Sequence, residues 1–306
     1  MSVRSSLYYR RGAGGKVAIE DMANSTGQRF FVCSVTGTDG TAYGFTPDKP
    51  FATISYAITK ATASKDDVVY VMENHVETLA ATITPLAGMR IIGLGRGASR
   101  PKITGLTGIA MLTLSAANVT VQNIHFLAVT GSTYIVRGTA ASPILEDCTF
   151  EQVAVPVKAC HFAGINAGLG AEFRRCTFLG KLDGPDYCVH FSSSAGDYWT
   201  MDDCTANYMV AGLDNGVVYS DHKQLGYVIK NCTFLGLDDS VAVITSSVGA
   251  MIDGVMINTT MHVTAISASV EDLLDDAKGL GLLGCLATDD KSKWAVPIST
   301  AQASAS

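Results

Sequence analysis

Several carboxylates in the middle of the chain lie at spacings that could support acid–base chemistry. Five of them follow the repeated segments at similar distances: Asp183, Asp186, Asp214, Asp238 and Asp239. If coils stack there, these aspartates crowd one edge, and like charges held close together raise the pKa of at least one group. Glycoside hydrolysis requires two carboxyl groups roughly 5–9 Å apart, one of them a general acid.

Asp202–Asp203 and Asp221–His222 are two further candidate pairs. All these aspartates also suit tight turns, where Asp accepts hydrogen bonds from nearby backbone. The turn-forming role is the simpler interpretation, because sugar sites also need aromatic platforms and the chain has two tryptophans. We therefore expect no catalytic residues here and no enzyme. A polysaccharide hydrolase or lyase that uses this Asp-rich edge is the alternative.

Cysteines also recur in a pattern that could bind metal or form disulfides. Four are 28 residues apart, at Cys148, Cys176, Cys204 and Cys232, and a second pair with the same spacing is Cys160 and Cys188. The sequence contains no Cys-x-x-Cys, and its six histidines show no ligand spacing. Free Cys is among the most buried residue types. We therefore expect a buried file of thiols, without metal or cofactor.

The four cysteines belong to near-copies of one short phrase that the fold must repeat. The copies occupy 147–150, 175–178, 203–206 and 231–234, with divergent copies at 123–126 and 258–261. Each follows a short run with period-2 alternation, which predicts a strand. Between the strands stands Asn, Asp or, once, Arg, as a sharp left-handed corner requires. Repeats of this length indicate a solenoid.

We therefore predict an all-β parallel β-helix with roughly 24–28 residues per coil and about 4.8 Å between neighbouring coils. The Cys position should point inward, because Ile124 occupies it in the first copy. The Phe two residues later should also point inward, and the Thr between them should face solvent.

The chain divides into four predicted regions. Residues 1–29 form an extended arm, 30–66 a first strand, a loop and a capping helix, 67–265 the β-helix, and 266–306 a short helix and tail. The capping helix is predicted from Pro50 to Ala61, with Phe51, Ile54 and Ile58 on one apolar stripe. A cap is needed because open solenoid ends expose unpaired strand edges.

The arm is basic, rich in Gly and without periodicity. It is either a disordered tail or a segment that orders on a partner surface, with Tyr and Arg as anchors. Trp294 in the C-terminal tail could dock on a neighbouring subunit or fold back onto its own coil. The predicted partner-binding residues are Tyr8, Tyr9, Arg10, Arg11, Lys16 and Trp294.

Composition excludes several functional classes. A net charge of −6 and a pI of about 5.5 argue against a general nucleic-acid binder. No run of 18 apolar residues indicates a membrane span, and the N-terminus lacks the apolar core of an export signal. Eight thiols fit a protein made in a reducing cytoplasm.

Two sets of motifs resemble known families. Phe31–Gly40 followed by Gly44–Ile54 resembles the opening of pectin-lyase-like right-handed β-helix proteins. Val68–Thr78 followed by Met89–Pro101 resembles β-helix proteins encoded among the head genes of tailed bacteriophages and prophages. The resemblance covers roughly residues 30–265.

The resemblance implies a virion structural protein that decorates or cements the capsid exterior. The arm would order on the major capsid protein or another head protein, and the solenoid would stand outward as a homo-oligomer, with a trimer favoured. A tailspike-type depolymerase and a glycan-binding adhesin are the alternatives.

Overall fold

The structure is a computed structural model of the chain. It describes residues 7–10, 16–19, 26–105, 107–108, 110–129, 134–153, 158–180, 187–192, 196–208, 216–237, 243–246, 254–263, 280–289 and 296–297. The predicted all-β parallel solenoid is confirmed, because its coils stack into three parallel sheets of ten, ten and six strands. Among the described residues, no helix has the length and apolar character needed to cross a bilayer.

The first sheet consists of the short alternating runs that precede each corner. Its central positions, such as Val121 and Phe173, are buried, and their neighbours are partly exposed. The strands are β3 (Arg29–Val32), β4 (Val68–Val71), β6 (Arg90–Gly93), β9 (Thr120–Gln122), β12 (Ile144–Glu146), β15 (Glu172–Arg174), β18 (Thr200–Asp202), β21 (Val228–Lys230), β24 (Val255–Ile257) and β26 (Gly281–Leu283).

The second sheet consists of the strands that follow each corner. All neighbours are parallel except the last pair. The strands are β5 (Val76–Thr78), β7 (Lys102–Thr104), β10 (His125–Ala128), β13 (Thr149–Gln152), β16 (Thr177–Gly180), β19 (Thr205–Asn207), β22 (Thr233–Leu237), β25 (Thr260–Val263), β27 (Leu286–Asp289) and β28 (Val296–Pro297).

Left-handed residues join the first sheet to the second, as predicted. Their φ angles lie between 47° and 56°, a region that Asn and Asp tolerate better than most residues. The exception in type is Arg175, which keeps the same conformation with a φ of 50°. The corner residues are Asn123, Asp147, Arg175, Asp203, Asn231 and Asn258.

The two predicted rows of inward-facing side chains that follow this corner, at the Cys and Phe positions, are confirmed. Ile124 and the four ladder cysteines are buried, and so are the phenylalanines two residues later. Ring centroids of Phe126 and Phe150 are 5.8 Å apart, and those of Phe150 and Phe178 are 5.1 Å apart. The outward Thr position is partly exposed except at Thr149, which is buried because the Arg100 guanidinium donates to its hydroxyl at 2.7 Å.

All eight cysteines are free and buried. Each ladder thiol donates to a carbonyl of the preceding coil; Cys176 Sγ, for example, lies 3.2 Å from the Leu145 oxygen. Burial raises the pKa of the Cys148 thiol to about 12, so it stays protonated. These thiols therefore serve as small packed side chains with a weak donor.

The third sheet closes each coil. Its strands are β8 (Ala110–Leu114), β11 (Tyr134–Gly138), β14 (Lys158–Ala163), β17 (Val189–Ser192), β20 (Val218–Ser220) and β23 (Ile244–Ser246). Here the coil length changes, because Val136 pairs with Cys160 whereas Cys160 pairs with Val189, a longer step along the chain. The expectation that Cys160 and Cys188 share one register was therefore wrong by one residue.

The cap at the N-terminal end is shorter than predicted. Helix α1 spans Ile54–Lys60, and Thr53 caps it by accepting from the Tyr56 N–H at 3.2 Å. Pro50 lies outside the helix, because the chain before Thr53 is extended and Phe51 forms a parallel bridge with Val32. The helix buries Ile54, Ala57 and Ile58.

The parallel ladders extend beyond both ends of the predicted solenoid. Strand β3 pairs with β4 upstream, while β26 and β27 pair with β24 and β25 beyond residue 265. Gly284 takes the corner position with a φ of 66°, and Cys285 follows it in the buried file. The sequence analysis missed this coil because Gly replaces Asn or Asp there. The short helix predicted at the start of the 266–306 region lies outside the described residues.

The predicted extended arm contains a local hairpin. Strands β1 (Leu7–Arg10) and β2 (Lys16–Ile19) pair antiparallel, with Leu7 opposite Ile19 and Arg10 opposite Lys16. The intervening sequence is rich in Gly, as a tight connection requires.

Candidate functional site

Seven side chains on four successive coils form one surface on the third sheet, which we call the histidine–tyrosine face. One file along the solenoid contains Arg137, His161, His190 and Tyr219, which are register partners on β11, β14, β17 and β20. The neighbouring file contains Tyr134, Lys158 and Tyr187. Intervening side chains such as Cys160 and Phe162 are buried in the core, so the alternation of each strand directs the face outward.

The rings of the face stack along the solenoid. The Tyr134 and His161 centroids are 4.5 Å apart, those of His161 and His190 are 4.7 Å apart, and those of Tyr187 and Tyr219 are 4.5 Å apart. These separations match the spacing of neighbouring strands, about 4.8 Å, so the fold sets the stack. Tyr134, His161 and Tyr219 are half-buried in this stack, whereas Tyr187 and His190 are buried.

Lys158 and Asp221 fix the protonation of His190. Lys158 Nζ lies 3.4 Å from His190 Nδ1 and 5.4 Å from the Tyr187 ring centroid. Because an ammonium group only donates, Nδ1 must accept, and the ring proton is on Nε2. That N–H donates to Asp221 Oδ2 at 2.9 Å. His190 is thus a neutral ring between a cation and a carboxylate.

His161 is also neutral. Its Nε2 lies 3.1 Å from Ser192 Oγ, whose hydroxyl donates to the Phe162 carbonyl at 3.3 Å, so Nε2 must carry the proton. Its Nδ1 is buried and has no hydrogen-bond partner in the part of the chain that the structure describes. Burial first, and then repulsion from His190 in its protonated form, from Lys158 and from Arg137, lowers the pKa of His161 to about 4.

The predicted acidic pairs behave differently from one another. Asp202 accepts from Lys230 Nζ at 3.0 Å and Asn231 Nδ2 at 3.2 Å, and Asp203 is a corner residue. That pair is therefore structural. Asp221 does reach the face, but it is bound to His190 of the preceding coil and not to its sequence neighbour His222.

The remaining predicted residues divide between the hairpin and the undescribed segments. Tyr8, Tyr9 and Arg10 lie on β1, and Lys16 lies on β2 opposite Arg10. The other residues lie outside the described part of the chain: Arg11, Asp183, Asp186, Asp214, Asp238, Asp239 and Trp294. In chain order the segments with the five aspartates lead into β17, β20 and β23 of the third sheet.

Sequence reasoning missed His161 and His190 as a pair. The signal available was their separation along the chain, which equals one coil of the third sheet. It was obscured because the corner phrases repeat with a period one residue shorter, and a one-residue slip turns a side chain to the opposite face.

Two other polar clusters on the solenoid are held by hydrogen bonds within the protein. His125 Nε2 lies 2.8 Å from Glu151 Oε2, and Arg100 donates to Asn123, Thr149 and the Asp147 carbonyl. In the described ranges, no group of three or more His, Cys, Asp or Glu could hold a metal ion.

Comparison with known proteins identifies the fold. No protein-family model and no curated protein matches the sequence. A pectin methylesterase mutant solved with a hexasaccharide is 14% identical over 91% of this chain and 95% of its own, with a TM-score of 0.53. A rhamnogalacturonan lyase (11% identical, 84% and 85% covered, TM-score 0.47) and the pectin methylesterase of Aspergillus niger (14%, 86% and 86%, 0.46) are also similar. The chain therefore has the right-handed parallel β-helix fold of pectin-lyase-like proteins, and these neighbours are polysaccharide-acting enzymes.

Proposed function

We propose that the protein acts on a polysaccharide, which it binds along the histidine–tyrosine face. The observation that carries the proposal is the array of five stacked or adjoining rings, two cations and one carboxylate on four coils, in which Arg137 is exposed and all the others except Tyr187 and His190 are partly exposed. The sequence analysis favoured a non-enzymatic capsid protein. Its alternative, a glycan-binding or polysaccharide-cleaving protein, has the better support, because the structural neighbour with a TM-score of 0.53 carries the name of a pectin-acting enzyme.

The chemistry of the face suits a sugar polymer. Tyrosine hydroxyls donate and accept hydrogen bonds, as sugar hydroxyls require. Polar side chains on coils about 4.8 Å apart offer contacts to successive units of a polymer parallel to the solenoid. Arg137 and Lys158 add donors for hydroxyl or acidic substituents.

Binding is tested with two matched variants. Lys158 over Tyr187 and Lys60 over Tyr56 are both lysine–tyrosine cation–π pairs, but the second lies on the capping helix. Lys158→Ala should weaken binding to the best ligand among homogalacturonan, alginate and dextran by about tenfold or more, the loss expected for one charge-assisted hydrogen bond. Lys60→Ala should not change it. Equal loss in both, or no binding by the wild type, would refute the assignment.

Catalysis would need carboxylates beyond the one in the face. Among the described residues of the face and its hydrogen-bond partners, Asp221 is the only carboxylate, whereas two-carboxylate hydrolysis needs a pair. We propose that cleavage, if the protein catalyses it, draws on Asp183, Asp186, Asp214, Asp238 or Asp239. Release of oligosaccharides that Asp238→Asn abolishes would support an enzyme. Retention of the glycan without release would support an adhesin.

The hairpin of β1 and β2 supports a second candidate, attachment to a virion. It places Tyr8, Tyr9, Arg10 and Lys16 on one small sheet near the start of the chain. We propose that this element anchors the protein, as a trimer, to a capsid or other head protein. Removing residues 1–20 should abolish capsid binding and leave the melting temperature unchanged, and light scattering should give the mass of three chains. Retained binding would contradict the anchor.

A further inference from the structure

We infer that the histidine–tyrosine face is an acid-sensitive switch: it holds its ligand while His161 and His190 are both neutral, and it releases the ligand when acid protonates either ring. This inference rests on the proposed function, since it concerns regulation of the same site. It stands on the stacking of two register-paired imidazoles between cations.

The packing around the two stacked imidazole rings leaves little solvent to stabilise a positive charge on either ring. His161 and His190 stack with centroids 4.7 Å apart and an interplanar angle of 28°. Tyr134 covers the other side of His161 at 4.5 Å, and Tyr219 lies 5.1 Å from His190. The His190 side chain is 7% exposed, so water can solvate little of an added charge.

The charged groups around the rings oppose protonation. Arg137 is the register partner of His161 on β11, and Lys158 of β14 contacts His190. Asp221, next to β20, is the one carboxylate among the described neighbours, and it is already bound to His190. Among the described residues, Tyr134, Tyr187 and Tyr219 are the other titratable groups that face the rings. Two cations against one anion make the environment unfavourable for an imidazolium.

Each added proton also breaks a specific contact. A proton on His190 Nδ1 would face the Lys158 ammonium 3.4 Å away. A proton on His161 Nδ1 would be buried, without an acceptor among the described residues. The stack must therefore open before either ring is charged, and opening displaces the tyrosines and cations beside it that the ligand contacts. The pKa of His161, lowered to about 4 chiefly by burial, agrees with this geometry.

The experiment combines a histidine titration with binding across pH. Side-chain NMR of the free protein should show His161 as the Nε2–H tautomer, titrating at about pH 4 and not near its ordinary value of about 6.5. Affinity for whichever of homogalacturonan, alginate and dextran binds at pH 7 should stay level down to about pH 5 and fall at least tenfold by about pH 4.

His161→Phe keeps an aromatic ring in the stack but removes the titrating group. The ratio of its affinity at about pH 4 to its own affinity at neutral pH should be at least about fivefold higher than the wild-type ratio. His222→Phe, outside the face, should leave the wild-type ratio unchanged. A His161 titration near 6.5, or binding that does not respond to acid, overturns the switch alone. Absence of binding at every pH overturns the proposed function and the switch with it.

Discussion

Replacing Arg175 with Asn separates two opposing contributions at one corner of the solenoid. Arg175 has a φ of 50°, in the left-handed region, where the equivalent residues of other coils are Asn, Asp or Gly. That region costs an ordinary L-residue about 1–2 kcal/mol, and Asn offsets part of the cost by local hydrogen bonding. We therefore expect Arg175→Asn to relieve about 1 kcal/mol of backbone strain.

The same substitution removes ion pairs to the preceding coil. Arg175 Nε lies 2.8 Å from Asp147 Oδ1, its Nη2 lies 3.0 Å from Oδ2, and Nη2 also contacts Glu146. Hydrogen bonds from Asp147 first, then Glu146, raise the pKa of the guanidinium. Because the Arg175 side chain is 48% exposed, the pairs together contribute about 1 kcal/mol. The net change at low salt should therefore be near zero.

Salt separates the two contributions, because it screens the ion pairs and leaves the backbone strain unchanged. In about 1 M NaCl the Debye length falls to about 3 Å. Urea denaturation should then show the Arg175→Asn variant to be more stable than the wild type by about 0.5–1 kcal/mol. The mirror variant Asn231→Arg, at a corner with a φ of 56°, should lose stability on adding salt relative to the wild type. A loss of more than about 1 kcal/mol for Arg175→Asn in both salts would refute the strain argument.

Three further predictions test the core and the face. Cys204→Thr should lower the free energy of unfolding by less than about 1 kcal/mol in urea denaturation, because Thr259 occupies the same buried row of side chains and donates to the Ile257 carbonyl at 3.1 Å. Cys204→Asp should instead prevent folding at neutral pH, as measured by circular dichroism. Gly180→Ala should cost about 1–3 kcal/mol, since its Cβ would lie 2.2 Å from the Tyr208 ring, and Gly281→Ala, which has only ordinary contacts, serves as its control. Because the pKa of His161 is lowered to about 4 in the folded protein, the unfolded chain protonates this residue first, and the free energy of unfolding should fall as the pH falls from about 6.5 to about 4. Discounted for the partial exposure of His161, the loss is about 1–2 kcal/mol. Urea titrations of His161→Phe at both pH values should lack this loss.

The first two sheets could be predicted from sequence because their corner tolerates no change in length. The left-handed residue, the buried Cys after it and the buried Phe two positions on must each reach the same place in every coil. Cys148 to Cys232 therefore keep a constant period, and strand identity, corner residues and inward files followed from it. Arg175 shows the limit of this reasoning, since its place in the pattern was visible but its ion pairs across coils were not.

The third sheet could not be predicted in the same way, because loops of variable length precede it. Its step from Val136 to Cys160 equals the corner step from Asn123 to Asp147 between the same coils. Its step from Cys160 to Val189 is one residue longer than the constant corner period, which sets Cys160 opposite Cys188. That slip of one residue places His161 opposite Val189, whose side chain is buried in the core. The histidine stack could therefore not be predicted from the sequence, even though both histidines and their strands could be identified.

This difference between the sheets bears on where function resides. A corner that fixes three positions in every coil leaves its outward side chains to satisfy one another, as Lys230 does with Asp202. The third sheet is entered by loops that can change length without disturbing the corner, so its outward positions are free to acquire rings and charges. Cooperation among those positions comes from stacking of coils and not from proximity in the chain, as the bond from His190 to Asp221 shows. A motif defined by spacing along the sequence does not detect such a site, whereas the pairing register of the stacked strands does.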